Sequence, residues 1–328
     1  MADTAAIQPA PVAPPRALRR DDKALHRRIF IGLAILLATA PLVFYPVFLM
    51  KVLCFGLFAS AFNLLLGYGG LLSFGHAAYF GMASYGAAYG AKVLGLTPEL
   101  AILCGTLMGG LLGLGFGALA IRRQGIYFAM ITLALAQMAF FFALQARFTG
   151  GEDGLQGVPR GALFGVISLE DDRAMYGLVC LIVLGGLLLI HRIIHSPFGQ
   201  VLKAIRDNEP RAISLGYRVN RYKLAVFVLS ATLAGLAGAT KALVFQLASL
   251  TDVHWSMSGE VVLMTLVGGM GTLFGPLAGA LVIVSMETYL APFGAWVTVI
   301  QGCVFVACVL LFREGIIGRL GGAVRRTL

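Results

Sequence analysis

Apolar stretches of about 20 residues recur from Ile29 to Phe312, and nothing else in the chain constrains its fold as tightly. A helix rises 1.5 Å per residue, so each stretch is long enough to cross the hydrocarbon core of a bilayer. Apolar runs between polar breaks predict ten helices, at 29–49, 52–67, 71–95, 99–120, 126–145, 174–195, 223–249, 258–274, 276–292 and 293–312. The chain is 59% hydrophobic and 12% charged, roughly half the charged share of a soluble domain, so lipid must cover part of its surface. The runs are continuous, without the period-two alternation of a β-barrel. The expected fold is all-α: a polytopic membrane protein with about ten transmembrane helices. The eighth and ninth are short, glycine-rich and joined at Gly275-Pro276, the pattern of a broken or re-entrant pair.

Charge sets the orientation. Lys and Arg concentrate on the cytoplasmic side of membrane proteins. With ten crossings both termini share a side. The tail 1–28, Arg122-Arg123, the 192–223 region and the C-terminal 313–328 then hold 19 of the 25 basic residues but 6 of the 15 acids. Both ends are therefore expected in the cytoplasm, and the net charge of +10 reports topology without any nucleic-acid partner. Residues 1–28 are proline-rich and basic with no apolar core before Ile29. They read as a disordered cytoplasmic tail, not a signal peptide. Residues 29–312 form the membrane domain and 313–328 a second cytoplasmic tail. Within the domain, 146–173 is an acidic external loop and 196–222 a basic internal one. The five cysteines lie in apolar runs with no CxxC or Cys/His cluster, so no metal site or disulfide is expected.

Glycine is placed with purpose. Gly105, Gly109, Gly113 and Gly117 share one helix face, and Gly271, Gly275 and Gly279 repeat the spacing. In lipid such stripes let helix backbones approach closely. Between the second and third runs the chain reads GYGGLLSFGHAAYFGMASYGAA (67–88). Its Gly67, Gly69, Gly70 and Gly75 predict an unwound segment before the third helix, tolerated only where backbone is buried in protein or lines a cavity. Gly268 and Gly269 predict the same for the eighth and ninth runs.

Polar residues inside the runs are the candidate pathway. Ser73, His76 and Tyr79 fall on one side of the third helix, with Thr132 and Gln137 on the fifth. Two readings of His76 stay open: a substrate ligand or proton carrier, or a neutral histidine hydrogen-bonded between helices. Lys241 and Glu287 read as snorkelling or ion-paired residues near the outer ends.

The internal loop carries FGQVLKAIRDNEPRAISLGY (198–217). Asn208 or Glu209 can cap a helix, Pro210 fits its first turn and Gly216 can end it. A partner protein and the bilayer interface are both suitable surfaces for so short a helix. The chain has no GxxxxGK[ST] phosphate loop, GxSxG elbow or HExxH motif, so it supplies neither ATP hydrolysis nor a recognisable catalytic set.

Three stretches carry a resemblance: residues 67–89; GIYFAMITLALAQM (125–138) with TGGEDGLQGVP (149–159); and 196–217 with LAGLAGA (233–239) and VGGMGTLFGPLAGA (267–280). In this order they resemble the permease subunits of ATP-binding-cassette (ABC) importers for branched-chain amino acids, the LivM-like type. The resemblance implies a fold similar to vitamin-B12-type importer permeases. It also implies a second, LivH-like permease subunit, two cytoplasmic ATPase subunits carrying ATP and magnesium, and a periplasmic substrate-binding protein. This chain itself would bind no cofactor and would be a transport subunit of the bacterial inner membrane, not an enzyme. Arg206, Asp207, Asn208, Glu209, Ala212 and Gly216 match the family's ATPase-coupling loop. Here Pro210 and Arg211 replace the alanines of the wider Glu-Ala-Ala pattern, and the glycine follows late. The expected activity is alternating-access import of leucine, isoleucine and valine, driven by the ATPases in trans. Relatives of this architecture import urea, short amides or other small organic substrates. A stand-alone secondary transporter, with His76, Lys241 and Glu287 as coupling groups, and an intramembrane enzyme with His76 as base are the other classes.

Overall fold

The computed structural model describes residues 20–42, 44–294, 296–311, 315 and 317. The basic tail up to residue 19 and nearly all of 313–328 lie outside these residues. Residues 1–43 and 44–328 form separate compact units. In the first, α1 (Arg20–Thr39) is followed by a 3₁₀ turn at Ala40–Leu42. The helix thus starts well inside the segment expected to be a disordered tail and stops ten residues before the expected end at 49. Pro41 carries no backbone N–H and cannot continue a helical ladder.

The second unit opens with α2 (Pro46–Asn63), Pro46 occupying its first turn. Sequence patterning starts this helix at 52 because Lys51 reads as a polar break. Lys51 instead sits inside the helix and pairs with Glu287 at 3.1 Å. There follow α3 (His76–Lys92), α4 (Pro98–Ala120), α5 (Ile126–Gln145), α6 (Asp172–Ile194), α7 (Pro197–Asp207), α8 (Glu209–Ser214), α9 (Val219–Phe245), α10 (Trp255–Gly268), α11 (Gly275–Tyr289) and α12 (Trp296–Leu311). Four two-residue strands complete the structure: β1 (Leu155–Gln156), β2 (Ala162–Leu163), β3 (Ile167–Ser168) and β4 (Leu247–Ala248). β1 pairs antiparallel with β4 and β2 with β3.

Among the described residues, five helical segments are long and apolar enough to cross a membrane: Pro46–Tyr68, α4, α5, α6 and α9. α3 and α10 are shorter because the chain breaks beside them. α10 stops at Gly268, not at the expected 274, since Gly269 and Gly271 adopt positive φ. α3 starts at His76, not at 71, after a π-helical turn (Leu64–Tyr68) and an irregular stretch.

Contacts sort the loops of this unit onto two ends. One end joins 63–70, Gln124, α7, α8 and 269–272: Arg206 donates to the Gly67 carbonyl, Asn63 to that of Thr272, and Gln124 to Glu209. The other joins Lys92, 146–171 and 244–248: Lys92 donates to the Gln156 carbonyl, and Arg160 to that of Val244 and to Asp172.

The core is the α3–α4–α9 trio, and glycine makes it possible. A Cβ on Gly109 would sit 2.9 Å from the Gly235 Cα, and one on Gly238 would run into the Phe80 carbonyl. The Gly105–Gly117 stripe of α4 therefore lies directly against α9 and α3. Gly268, Gly275 and Gly279 do the same for the α10–α11 hairpin, where a Cβ on Gly279 would meet the Met264 carbonyl. The two hairpins match. His76 and Pro98 are separated by the same interval as His254 and Pro276, and Gly90 and Ala101 by the same interval as Gly268 and Gly279. Both hairpins begin with a shortened helix, of 17 and 14 residues, whose N-terminus lies inside the bundle. These N-termini face each other, the Ala77 N–H donating to Ser258 Oγ at 3.0 Å.

Candidate functional site

Three neighbouring features make up the site: the first helix break, the hairpin turn beside it, and the structured loop at the same end.

The break begins at Asn63, which is buried. Its amide forks across to the α10–α11 turn, Nδ2 donating to the Thr272 carbonyl (2.7 Å) and Oδ1 accepting from Gly271 N–H (2.9 Å). One side chain thus satisfies two backbone groups that the turn leaves without helical partners. Beyond the π-turn, Gly70 has φ +68, and a Cβ there would lie 2.7 Å from Arg206 Cγ, so position and close approach both require glycine. Phe74 N–H donates to Thr132 Oγ1 (3.1 Å) and Gly75 N–H to Ser73 Oγ (3.2 Å), which steers the chain to the start of α3.

His76 opens α3 and is fully buried, as are Ser73, Tyr79 and Thr132. Its Nε2 lies 2.8 Å from Ser230 Oγ, and that hydroxyl donates to the Ala61 carbonyl. Ser230 is left to accept, so Nε2 carries the proton. The imidazole packs edge-on against Phe62, Tyr79 and Phe227. Four of the five pathway candidates are therefore brought together in the interior. Gln137 is half-buried elsewhere on α5.

The loop is more ordered than its sequence suggests. Asn208 caps α8 by accepting from Arg211 N–H (3.0 Å), Pro210 sits in the first turn and Gly216 follows with φ +86. The preceding α7 escaped sequence analysis, although Ser196 and Pro197 are a cap and first-turn pair, with Phe198, Val201, Leu202 and Ile205 at helical spacing behind them. Ile205, Ala212 and Val219 form a small core of their own under Val201 and Tyr222, so α7, α8 and the start of α9 behave as one body.

The residues expected at the ATPase-coupling surface divide into two groups. Arg206 turns inward, its Nη1 donating to the Gly67 carbonyl (2.5 Å) while Nη2 pairs with Asp207. Lys203 lies 5.6 Å over the Tyr68 ring. Burial, with Arg206 nearby, lowers its ammonium from the usual lysine range, and Asp207 offsets part of this. Glu209 also turns inward: Lys223 Nζ reaches both its oxygens at 2.8 Å and Gln124 donates to one at 2.9 Å. Ala212 is buried. Asp207, Asn208 and Gly216 are exposed, as is part of the Arg206 side chain, and beside them stand the apolar Ile213, 57% exposed, and Leu215, 68% exposed. Ile213 lines a cleft of about 450 Å³ together with Gln124, Glu209, Arg218, Val219 and Arg221.

At the opposite end Lys241 is ion-paired, one of its two expected roles, with a partner the sequence did not reveal. Lys241 Nζ contacts both oxygens of Asp252, at 2.6 and 2.8 Å, and both residues are buried. This pair holds the second break, 246–254, against α9. Among the described residues no three His, Cys, Asp or Glu side chains gather into a metal site.

Apolar helices of membrane-crossing length, two of them flanking irregular breaks, and an ordered loop bonded to one break are the features of a membrane transport subunit. The chain belongs to the family of permease components of branched-chain amino acid transport systems, whose sequence profile matches residues 46–311. It is 25% identical over 278 residues to the high-affinity branched-chain amino acid transport system permease protein LivM of Escherichia coli, covering 78% of this chain and 65% of that protein. The LivM of Salmonella typhimurium is 24% identical with the same coverage. The ribose import permease RbsC of Bacillus subtilis is 29% identical over 69% of this chain and 71% of its own length. The chain thus spans just under two thirds of the LivM proteins' length. These relatives are permeases by name, transport subunits and not enzymes. No solved structure matches the chain.

Proposed function

We propose that this chain is a membrane-spanning subunit of an ABC importer that carries leucine, isoleucine and valine across the bacterial inner membrane by alternating access. The family match across 46–311 carries this reading, supported by likeness to two proteins named as branched-chain amino acid permeases. The basic end faces the cytoplasm, both termini lie there, and ten crossings are made, four of them by shorter helices joined to irregular segments. Two ATPase subunits holding ATP and magnesium dock on the 196–222 loop. A second, LivH-like permease completes the pathway, and a substrate-binding protein delivers cargo to the 146–173 loop. Ile213 and Leu215 are the apolar contacts offered to the ATPases; an aspartate at Ile213 should abolish their co-purification.

Likeness to a ribose permease supports a second reading, the same architecture with another small organic substrate. Uptake into vesicles holding the reconstituted importer separates the two. Leucine, isoleucine and valine should accumulate with ATP and compete with one another, while ribose and urea should not compete. Accumulation of ribose or urea alone would overturn the amino-acid assignment.

A further inference from the structure

Resting on the importer reading above, we propose that Arg206 and Asn63 are positioning residues that transmit motion of the loop to the helix breaks and make no contact with the ATPases. The geometry separates these roles within a few residues. Ile213 and Leu215 point away from the protein, whereas Arg206 reaches back to the Gly67 carbonyl. That carbonyl belongs to the π-helical turn, where the regular i→i−4 pattern has already been given up. Arg206 therefore holds the point at which α2 ceases to be a regular helix. Its Cγ also lies against Gly70, so the guanidinium and its aliphatic stem grip both sides of the turn.

From the same turn Asn63 continues the connection. Its two hydrogen bonds reach Gly271 and Thr272, in the turn that separates α10 from α11. The route is a chain of direct hydrogen bonds: α7 through Arg206 to the first break, and through Asn63 to the α10–α11 turn. A displacement of the rigid α7–α8 body acts on both turns together, because neither can move without breaking a bond to the next. Each of these links is a neutral or singly charged hydrogen bond to backbone, which can break and reform as the loop moves.

The test uses the full importer, reconstituted with its ATPases and binding protein. Arg206→Met keeps the aliphatic stem and removes the donor; Asn63→Asp keeps the acceptor for Gly271 and removes the donor to Thr272. Both variants should co-purify with the ATPases as the unaltered protein does. The amount of substrate accumulated per ATP hydrolysed should fall about tenfold in each. The double variant should fall no further than the worse single one, since both residues serve one connection. Arg206→Lys, which restores a donor, should recover part of the ratio. Loss of co-purification in Arg206→Met would make Arg206 a docking residue and overturn the proposal. So would an unchanged transport-to-ATP ratio, or effects that multiply in the double variant. Failure of the unaltered complex to couple ATP to any uptake would instead overturn the importer reading on which the proposal rests.

Discussion

The two helix breaks meet the same difficulty, irregular backbone inside an apolar bundle, with different chemistry. At 64–75 the peptide groups are satisfied by the neutral side chains of Ser73 and Thr132 and by Arg206 from the loop, while Asn63 ties the break to the α10–α11 turn. At 246–254 a buried ion pair, Lys241–Asp252, does the holding, helped by the β1–β4 pairing. A neutral hydrogen bond contributes about 1 kcal/mol net. Removing one partner of a buried ion pair costs about 3–5 kcal/mol, because the other charge is left unpaired in a poorly solvated place. The first break is therefore soft and connected to the loop, and the second is stiff and anchored.

Three substitutions probe that contrast, beginning with the largest effect. Lys241→Met strands the Asp252 carboxylate and should destabilise the purified protein by about 3–5 kcal/mol in thermal unfolding in detergent; adding Asp252→Asn should recover much of the loss. Ser230→Ala removes the acceptor for His76 at the first break and should cost about 1–3 kcal/mol in the same measurement, less than the stranded carboxylate. Equal losses from these two would erase the distinction between stiff and soft breaks. Lys51→Met removes the third contrast, a pair whose side chains are 25% and 43% exposed, and should change stability by less than about 1 kcal/mol.

Glycine made the first break legible in the sequence, since Gly67, Gly69, Gly70 and Gly75 are tolerable together only where a helix is interrupted. The second break hid because its flanking residues, Gln246 to His254, look like ordinary polar punctuation. For Lys241 the sequence offers snorkelling or an ion pair near the outer end, without naming the partner. Its true partner is reached only after the chain reverses at Gln246, which takes a positive φ that periodicity cannot register. The repeated interval from His76 to Pro98 and from His254 to Pro276 was the available signal, and it equates the two breaks directly. The helix α8 followed from its cap and proline, whereas α7 was overlooked because a short amphipathic helix between membrane spans resembles a charged linker. The inward turn of Arg206 and Glu209 was not legible at all. Which way a loop side chain points depends on neighbours from α2, α9 and the Gln124 turn, all distant in sequence.

The meeting of the two shortened helices also bears on how the protein is made. His76 waits for Ser230, 154 residues later in the chain, and the Ala77 amide for Ser258, 181 residues later. Until those residues leave the ribosome, the start of α3 holds polar groups with no partner, in a membrane that offers none. The start of α3 therefore completes these contacts only once α9 and α10 have been made. Chains truncated before residue 230 should then be cleared by membrane proteases, while those extending past 268 should persist.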